Sequence, residues 1–590
     1  MSTKTIESFF TGKTFIIPNY QRDYAWSTEN VDDMFEDIEE TLEAKGGHYL
    51  GTFILSNSNK SAPMQVVDGQ QRLTTLTILL DALIDLVDDS GIKQHYRNIF
   101  IKHPVTGAKL QVQRANEDFF RKLLEEQSPS PLSDGQKRLL DAYNWIRQRV
   151  QKVRQDCGQD AITRWLKCIG DMEVLEFIEP SEGKAIRMFQ TVNDRGVPLA
   201  RMDIVKSLLI YNSNRYLDGA LDKHIAEQFG CAFRSFSRIK ELGAKSGYKI
   251  RQIDRDTFRE DDVLRYHYFA FDVSGLGVSI SGDYSATPET VLKDFLKPAL
   301  RLLRTDSPRL ERFISRYTDD LTAFFGGLEQ LVAQTRDDRE AYLLWVVQDL
   351  SATLYPLAIR LHLKRWTTNV SLHNGRTLNE LLALVDLRVF KLRGTNPQAD
   401  IVKITRALEQ STTDQLATDL LAFCDRFMPD PRMQARLLDG DMYRNPAVQR
   451  ILLQLEEERR RAVNKPALDL QELVQLIADG LTVEHVLPQD PKNSFDVSAY
   501  GFASDADYDL VKHRLGNLVL LEGNINSACS NRTVEVKMAS PNLYRASDLY
   551  SVRGLAADCV PPNPRFDRAA MSARTVAIAD SVGLHWQLGA

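Results

Sequence analysis

The sequence predicts a multidomain α+β protein, and three observations carry that reading. The chain runs to 590 residues, more than one hydrophobic core supports, so about three or four domains are expected. Up to Thr75, short extended runs alternate with turn signals before a helical spacing begins. From Asp261 to Ala478 amphipathic helical patterns dominate instead.

In chain order, Phe15–Ile17 before Pro18, Tyr49–Leu55 and Gln65–Val67 read as strands. Leu73, Leu76, Leu80, Leu83 and Val87 keep helical spacing, with Gln71 or Arg72 in the first turn. Leu139–Arg154 and Ala161–Ile169 read as further helices, and Val174–Phe177 as a short strand. The middle contributes helices over Phe313–Leu331, Arg339–Arg360, Leu378–Val389 and Ala447–Arg461. Within the last, the run Glu456, Glu457, Glu458, Arg459, Arg460, Arg461 pairs at i,i+3 and reads as a solvated face. Polar stretches at Gly243–Asp256 and Asn464–Ala467 divide the chain into an early α+β segment 1–255, a helical connector 256–470 and a C-terminal segment 471–590. Past Val560, the prolines Pro561, Pro562 and Pro564 start an extended stretch before a last helix over Ala569–Ser581.

A hydrophobic fraction of 43% and a charged fraction of 26% are those of an ordinary soluble globular chain. No apolar run approaches the roughly eighteen residues of a membrane span, and Met1–Phe10 has no basic region followed by an apolar one. Cys157, Cys168, Cys231, Cys424, Cys529 and Cys559 are scattered without a Cys-x-x-Cys pair, which argues against a disulfide framework and a thiolate zinc site. A reducing cytoplasm is the expected compartment, with no membrane partner. A net charge of −6 gives no bulk attraction to nucleic acid, so any DNA contact is local.

The densest chemistry lies near the C-terminus. Thr482-Val483-Glu484-His485-Val486-Leu487-Pro488-Gln489 is followed by Leu515-Gly516-Asn517-Leu518 and then Asn524, Asn526, Asn531 and Lys537. Phosphodiester hydrolysis needs a positioned water, a base and a cation facing the phosphate. His485 supplies a base and Glu484 an oxygen ligand, aimed to opposite faces of an extended segment. The Asn517 side chain would hold the His485 imidazole in one tautomer, and Asn526, at a helix start, would offer a second metal oxygen. Such a donor set suits Mg²⁺ or Mn²⁺. His513 is a rival base, and each motif taken singly is also compatible with a surface turn.

These residues resemble the C-terminal HNH domain of the GmrSD-like and BrxU-like modification-dependent restriction proteins, over roughly residues 475–545. The resemblance implies a ββα-metal nuclease fold within a helical setting. It makes Glu484 a ligand, His485 the general base, Asn517 the third motif residue and Asn526 a ligand. Asn524 and Asn531 compete with Asn526 for the last role.

Two N-terminal clusters stand out: Pro18-Asn19-Tyr20-Gln21-Arg22-Asp23-Tyr24-Ala25-Trp26, and Asp68-Gly69-Gln70-Gln71-Arg72 leading into the helix at Leu73. The second sets a glycine and a run of amides where a strand meets a helix N-terminus, which attracts phosphate. Arg72 would clamp phosphate, Asp68 would hold Mg²⁺ or a water, and Gln70 and Gln71 would orient a water or read a base. Asp68 and Gln71 also have the spacing of an N-cap and its capping-box partner. Tyr20, Tyr24 and Trp26 either stack on a base or sugar or belong to the core. No Walker loop occurs.

Asp68 to Arg72 is similar to the Asp-Gly-Gln-Gln-Arg signature of the ParB and sulfiredoxin-like α+β domain of the same restriction proteins. Tyr20, Gln21, Arg22 and Trp26 match it too. A further matching stretch, Met188 to Leu199, carries Asn193 and Arg195 and is followed by Asp203 and Lys206. The resemblance implies nucleoside-triphosphate (GTP, ATP or other) binding and hydrolysis, with Asn193, Arg195 and Asp203 completing the pocket. Asn193 and Gly196 are also compatible with a plain turn.

The resulting expectation is a phage-defence type IV restriction enzyme. An N-terminal nucleotide-hydrolysing sensor controls a metal-dependent HNH nuclease that cuts DNA bearing glucosylated or hydroxymethylated cytosine. A homodimer is compatible with it. Alternatives are a phosphorothioate-sensing NTPase and nickase, a nucleotide-switched DNA-binding adaptor with an inactive HNH site, and an RNA-directed toxin.

Overall fold

The short extended runs of the N-terminal sequence come together as one mixed sheet. The computed structural model describes all residues except 1, 20, 44–48, 58–62, 106, 180–199, 281–283, 367–375, 491–495, 556–564 and 590. By internal contacts the chain divides into two compact units, 1–237 with 275–281 and 287–322, and 238–274 with 282–286 and 323–590.

The first unit holds β1 (Ser2–Thr5), β2 (Phe15–Ile16), β3 (Tyr49–Ser56), β4 (Met64–Asp68), a small hairpin of β5 (Lys102–His103) and β6 (Gly107–Ala108), β7 (Leu110–Gln111) and β8 (Glu173–Glu179). The main sheet has the order β1-β8-β3-β4-β2-β7. β1 and β8 pair antiparallel, as do β3 and β4, while β8 with β3, β4 with β2, and β2 with β7 run parallel. Helices Thr28–Glu43, Asp134–Cys157 and Gln159–Asp171 pack with it around Phe9, Phe10, Phe15, Phe35, Phe53, Ile146 and Leu166.

At the centre, β4 passes through Gly69 into helix Gln70–Asp85, whose residues from Gln70 to Ile84 are almost all buried. Burying each of Leu73, Leu76, Leu80 and Leu83 contributes about 2 kcal/mol. The hydroxyls of Thr74, Thr75 and Thr77 donate to carbonyls one turn back, so these polar residues enter the core satisfied. The capping box at Asp68 and Gln71 does not form. Gly69 is the N-cap at φ 93°, without a side-chain cap bond, because the Gln71 amide bonds to the backbone of Ala25 and Asp23 instead. A Cβ at Gly69 would stand 2.5 Å from the Phe53 ring, so the turn needs glycine for both conformation and space.

Among its described residues the second unit is helical apart from one two-stranded sheet. The single helix expected over Arg339–Arg360 is broken. Arg339–Tyr342 runs into a π-helical turn, Leu343–Val347, and a new helix, Tyr355–Leu363, starts with Pro356 in its first turn. Proline cannot occupy a helix interior but is tolerated at its start. Buried Asp386 seals the break, accepting from the Ser351 N–H at 3.1 Å and the Gln348 amide at 2.9 Å. The helix expected to reach Val389 ends at Val385 and continues as a π-helical turn over Asp386–Leu392.

The charge run on helix Val448–Ala462 is a correction of a different kind. Glu456, Glu457 and Arg460 are buried rather than solvated. Glu456 accepts the backbone N–H groups of Tyr550 and Ser551 at 2.9 and 2.7 Å, Glu457 pairs with Arg339, and Arg460 reaches Glu456 and Glu472. The i,i+3 pattern was legible, but these tertiary partners were not. The last helix spans Arg568–Trp586. Pro561, Pro562 and Pro564, expected to form an extended stretch before it, lie outside the described residues.

Candidate functional site

In the second unit β9 (Thr482–His485) and β10 (Leu518–Leu521) pair antiparallel, with Glu484 opposite Val519 and His485 opposite Leu518. Helix Gly523–Cys529 comes directly after β10, so two strands and a helix stand in the expected order. The last helix buttresses the turn before β10. Arg574 donates to the carbonyls of Gly516 and Leu518 at 2.7 and 2.9 Å, and a Cβ on Gly516 would lie 2.0 Å from the Met571 carbonyl.

Glu484 and His485 face opposite ways, as neighbours on a strand must. Glu484 is 8% exposed, and its carboxylate accepts from the Lys537 ammonium at 2.5 Å. Lys537 is fully buried and also donates to the His485 carbonyl at 2.7 Å and the Val486 carbonyl at 3.4 Å. Burial raises the Glu484 carboxyl above its ordinary range, against the pull of Lys537. The Asn526 amide donates to the Thr482 hydroxyl at 2.8 Å, Asn524 accepts from the Ile525 N–H, and Asn531 bridges the Asp490 backbone. None of the three asparagines bonds to Glu484. Among the described residues no three His, Cys, Asp or Glu side chains come together as a metal-holding group. A cation is already seated against the one expected carboxylate, so Glu484 with Asn526 does not fit Mg²⁺ or Mn²⁺ in this arrangement.

On the other face, His485 is 4% exposed, and its Nε2 lies 2.9 Å from Nδ1 of half-buried His513. Tyr443 stacks on the His513 ring at 5.3 Å and 12°, and its centroid is 4.3 Å from that of His485. Burial first, then the positive fields of His513, Lys537 and Lys512, lower His485 to about 3. Burial also lowers His513, opposed by Asp441 and assisted by Lys512 and Arg444. Asn517 does not orient the His485 ring. It is fully buried, accepts from the Leu487 N–H at 2.7 Å and donates to the Lys512 carbonyl at 2.8 Å. It therefore ties the backbone after β9 to the segment carrying His513. Its small amide has both a donor and an acceptor, and the turn presents both kinds of backbone partner.

The two N-terminal clusters are stitched together in the first unit. Gln21 donates to the Val67 carbonyl at 2.6 Å, and Gln71 accepts from the Ala25 N–H at 2.7 Å and donates to the Asp23 carbonyl at 3.1 Å. Gln70 is buried at the helix start. Asp68 accepts from the Gly69 N–H at 2.8 Å, and burial raises its carboxyl while Arg72 and Arg22 pull it down. Arg22 lies within the fields of Asp203 and Asp68, and its buried Nε has no hydrogen-bond partner among the described residues. Arg72, the expected phosphate clamp, is half-buried. It donates to the Thr52 carbonyl at 3.2 Å and lies over the Phe53 ring, in room left by Gly51. Tyr24 is core, bonded to the Thr75 hydroxyl, and Trp26 packs against that core. Tyr20, Asn193 and Arg195 lie outside the described residues.

A cavity of about 300 Å³ adjoins this cluster, with Asn19, Asp23, Gln113, Asn116 and Lys206 in its wall and none of Asp68 to Arg72. Lys206 is buried, and desolvation lowers its ammonium against the fields of Asp23 and Asp203. Sequence reasoning gave no role to Tyr443 or Arg574. Neither sits in a motif, and only the folded chain brings them to the Glu484-His485 strand.

Two family matches place the chain among type IV restriction enzymes, endonucleases acting on DNA. Residues 6–210 match the family described as GmrSD restriction endonuclease, N-terminal domain, and residues 428–581 match GmrSD restriction endonucleases, C-terminal domain. The two matches cover more than half of the chain, which belongs to the GmrSD restriction endonuclease family. A comparison with curated proteins found no match.

Proposed function

We propose that this chain defends a cell against phage by cutting DNA that carries glucosylated or hydroxymethylated cytosine, with the His485–His513 pair as the hydrolytic centre. The observation that carries the reading is the 2.9 Å contact between these rings, beside two strands and a helix in the order an HNH site requires. Imidazoles in hydrogen-bonding contact supply a base together with a group that orients it. Lys537 engages Glu484, and the two imidazoles carry the step.

The first unit is read as a nucleoside-triphosphate-hydrolysing sensor. Support comes from the helix N-terminus at Gly69, the Arg22, Asp68 and Asp203 charge cluster and the unpartnered Nε of Arg22. Asn193, Arg195 and Tyr20 belong to the same reading on sequence grounds. The enzyme is assigned to the cytoplasm; no helix among the described residues is long and apolar enough to cross a membrane.

One observation favours a second reading. The Lys537 ammonium seated against Glu484 favours a nucleotide-switched DNA-binding adaptor with an inactive HNH site. Incubating the full chain with unmodified plasmid, glucosylated-hydroxymethylcytosine DNA and phosphorothioate DNA separates the cases. The assay is run with and without GTP or ATP and with Mg²⁺, Mn²⁺ or chelator. Cutting confined to the glucosylated DNA supports the enzyme, cutting confined to phosphorothioate DNA changes the modification, and binding without cutting supports the adaptor.

A further inference from the structure

We propose that the second unit holds a separate binding site, a cavity that takes a small organic anion, with a carboxylate or phosphate group on the Arg450 guanidinium and an apolar body against leucines. The cavity holds about 390 Å³, the size of a small-molecule site. Leu343, Leu344 and Leu384 give it an apolar wall, and exposed Leu584 and Glu380 also line it, so it reaches solvent. None of its wall belongs to the strand Thr482–His485 or to helix Gly523–Cys529, so the inference stands independently of the nuclease reading.

Arg450 is the reason to expect an anion. It is 6% exposed on helix Val448–Ala462, and among the described residues its one hydrogen bond is a 3.5 Å contact to Gln454 Oε1, one turn on. The carboxylates of the wall are engaged elsewhere: Glu340 and Glu457 both pair with Arg339, and Glu380 accepts the Thr377 N–H at 2.6 Å. A guanidinium carries five N–H donors, and a buried cation without a bonded carboxylate is costly. The Trp586 ring holds this cation at 5.0 Å without supplying an acceptor. Donors therefore remain for the forked bond that a carboxylate or phosphate accepts from arginine.

Arg376 adds a second cation to the wall. Its bonds go to the carbonyls of His585 and Gln587, at 3.1 and 3.0 Å, which fix it at the end of helix Arg568–Trp586. Leu343 and Leu344 stand in the π-helical turn Leu343–Val347, and single π-helical turns within helices recur at functional sites. Gln348, just past that turn, donates to the Ala383 carbonyl and to Asp386 at 2.9 Å each. Its Oε1, and Nε1 of Trp586, are buried in the same wall and have no hydrogen-bond partner among the described residues. Apolar surface with a few polar groups left unused by the fold is the make-up of a ligand pocket.

The test titrates the full chain with phenyl phosphate and benzoate, and with benzamide and benzylamine as neutral and cationic analogues, reading binding by saturation-transfer NMR. Wild type is compared with Arg450→Met and with Ala383→Leu, which fills the cavity from a half-buried position on helix Leu378–Val385. Urea unfolding is measured on the same proteins. At least one of the two anions should bind the wild type saturably, about tenfold or more tighter than the neutral and cationic analogues, and the tighter of the two names the charged group. Arg450→Met should lose about tenfold or more in affinity with a urea midpoint no lower than wild type, since the substitution removes a buried cation that no carboxylate offsets. Ala383→Leu should lose as much. No saturable binding of either anion at millimolar concentration would overturn the proposal, as would benzamide binding as tightly as the anions, or Arg450→Met binding as wild type does. If Arg450→Met fails to fold, Ala383→Leu decides: wild-type affinity in that variant would put the anion elsewhere and overturn the proposal.

Discussion

Lys537 Nζ lies 2.5 Å from Glu484 Oε1, and both groups are buried. The pair is a structural brace that fastens helix Val534–Ala539 to the strand carrying His485. Removing one partner of such a pair costs far more than removing both, because the survivor is left as an uncompensated buried charge.

Lys537→Met is therefore expected to destabilise the second unit by about 3–5 kcal/mol, and the double variant Glu484→Gln with Lys537→Met to recover most of that loss. Urea unfolding of the three proteins checks it. Equal losses in the single and double variants would show that the lysine matters through packing alone.

Acid should loosen the same region. His485 is lowered to about 3 in the fold, against about 6.5 in an unfolded chain. The unfolded state binds the extra proton between those values, so the stability from keeping His485 neutral is complete above about pH 6.5 and is lost as the pH falls toward 3. The slope is at most about 1.4 kcal/mol per pH unit for this residue. His585, lowered to about 4 by burial, adds a parallel term. Unfolding midpoints at falling pH should drop less steeply in His485→Gln than in wild type.

Gly69→Ala should destabilise the first unit by about 2 kcal/mol or more, since alanine at φ 93° is strained and its Cβ meets the Phe53 ring. Thermal unfolding reads the loss. Phe53→Ala with Gly69→Ala should restore part of the steric share while keeping the backbone share.

Arg22→Ala is expected to weaken nucleoside-triphosphate binding by about tenfold or more, roughly 1.4 kcal/mol, because its buried Nε has no partner among the described residues and its charge faces Asp68 and Asp203. Titration with a fluorescent nucleotide measures it. An unchanged dissociation constant would move the phosphates away from this cluster, toward the cavity wall at Lys206.

Much of the fold was legible in the sequence, and the boundary is physical. Strands β3 and β4, the helix after Gly69 and the order of β9, β10 and the helix after them all arise from local pattern and turn chemistry. What local pattern could not supply was partner choice. Gln71 has capping-box spacing, yet its amide goes to Ala25 and Asp23. Glu456 to Arg461 has the spacing of a solvated face, yet Glu456, Glu457 and Arg460 are buried against Tyr550, Ser551, Arg339 and Glu472. Asn517 sits beside the expected histidine in the fold and binds backbone instead of the ring. Tyr443 reaches the histidines from a distant loop that carries no motif. In each case a side chain with a clear local role, or with none, is claimed by a contact that only the tertiary fold brings within reach.

The most direct measurement is single-turnover cleavage of phage DNA carrying glucosylated hydroxymethylcytosine, comparing the wild-type chain with His485→Ala at matched folding and DNA binding. Preferential cutting of this DNA by the wild type, lost in the variant, is the expected result. Equal cutting by both proteins, or binding without cutting by the wild type, would contradict it.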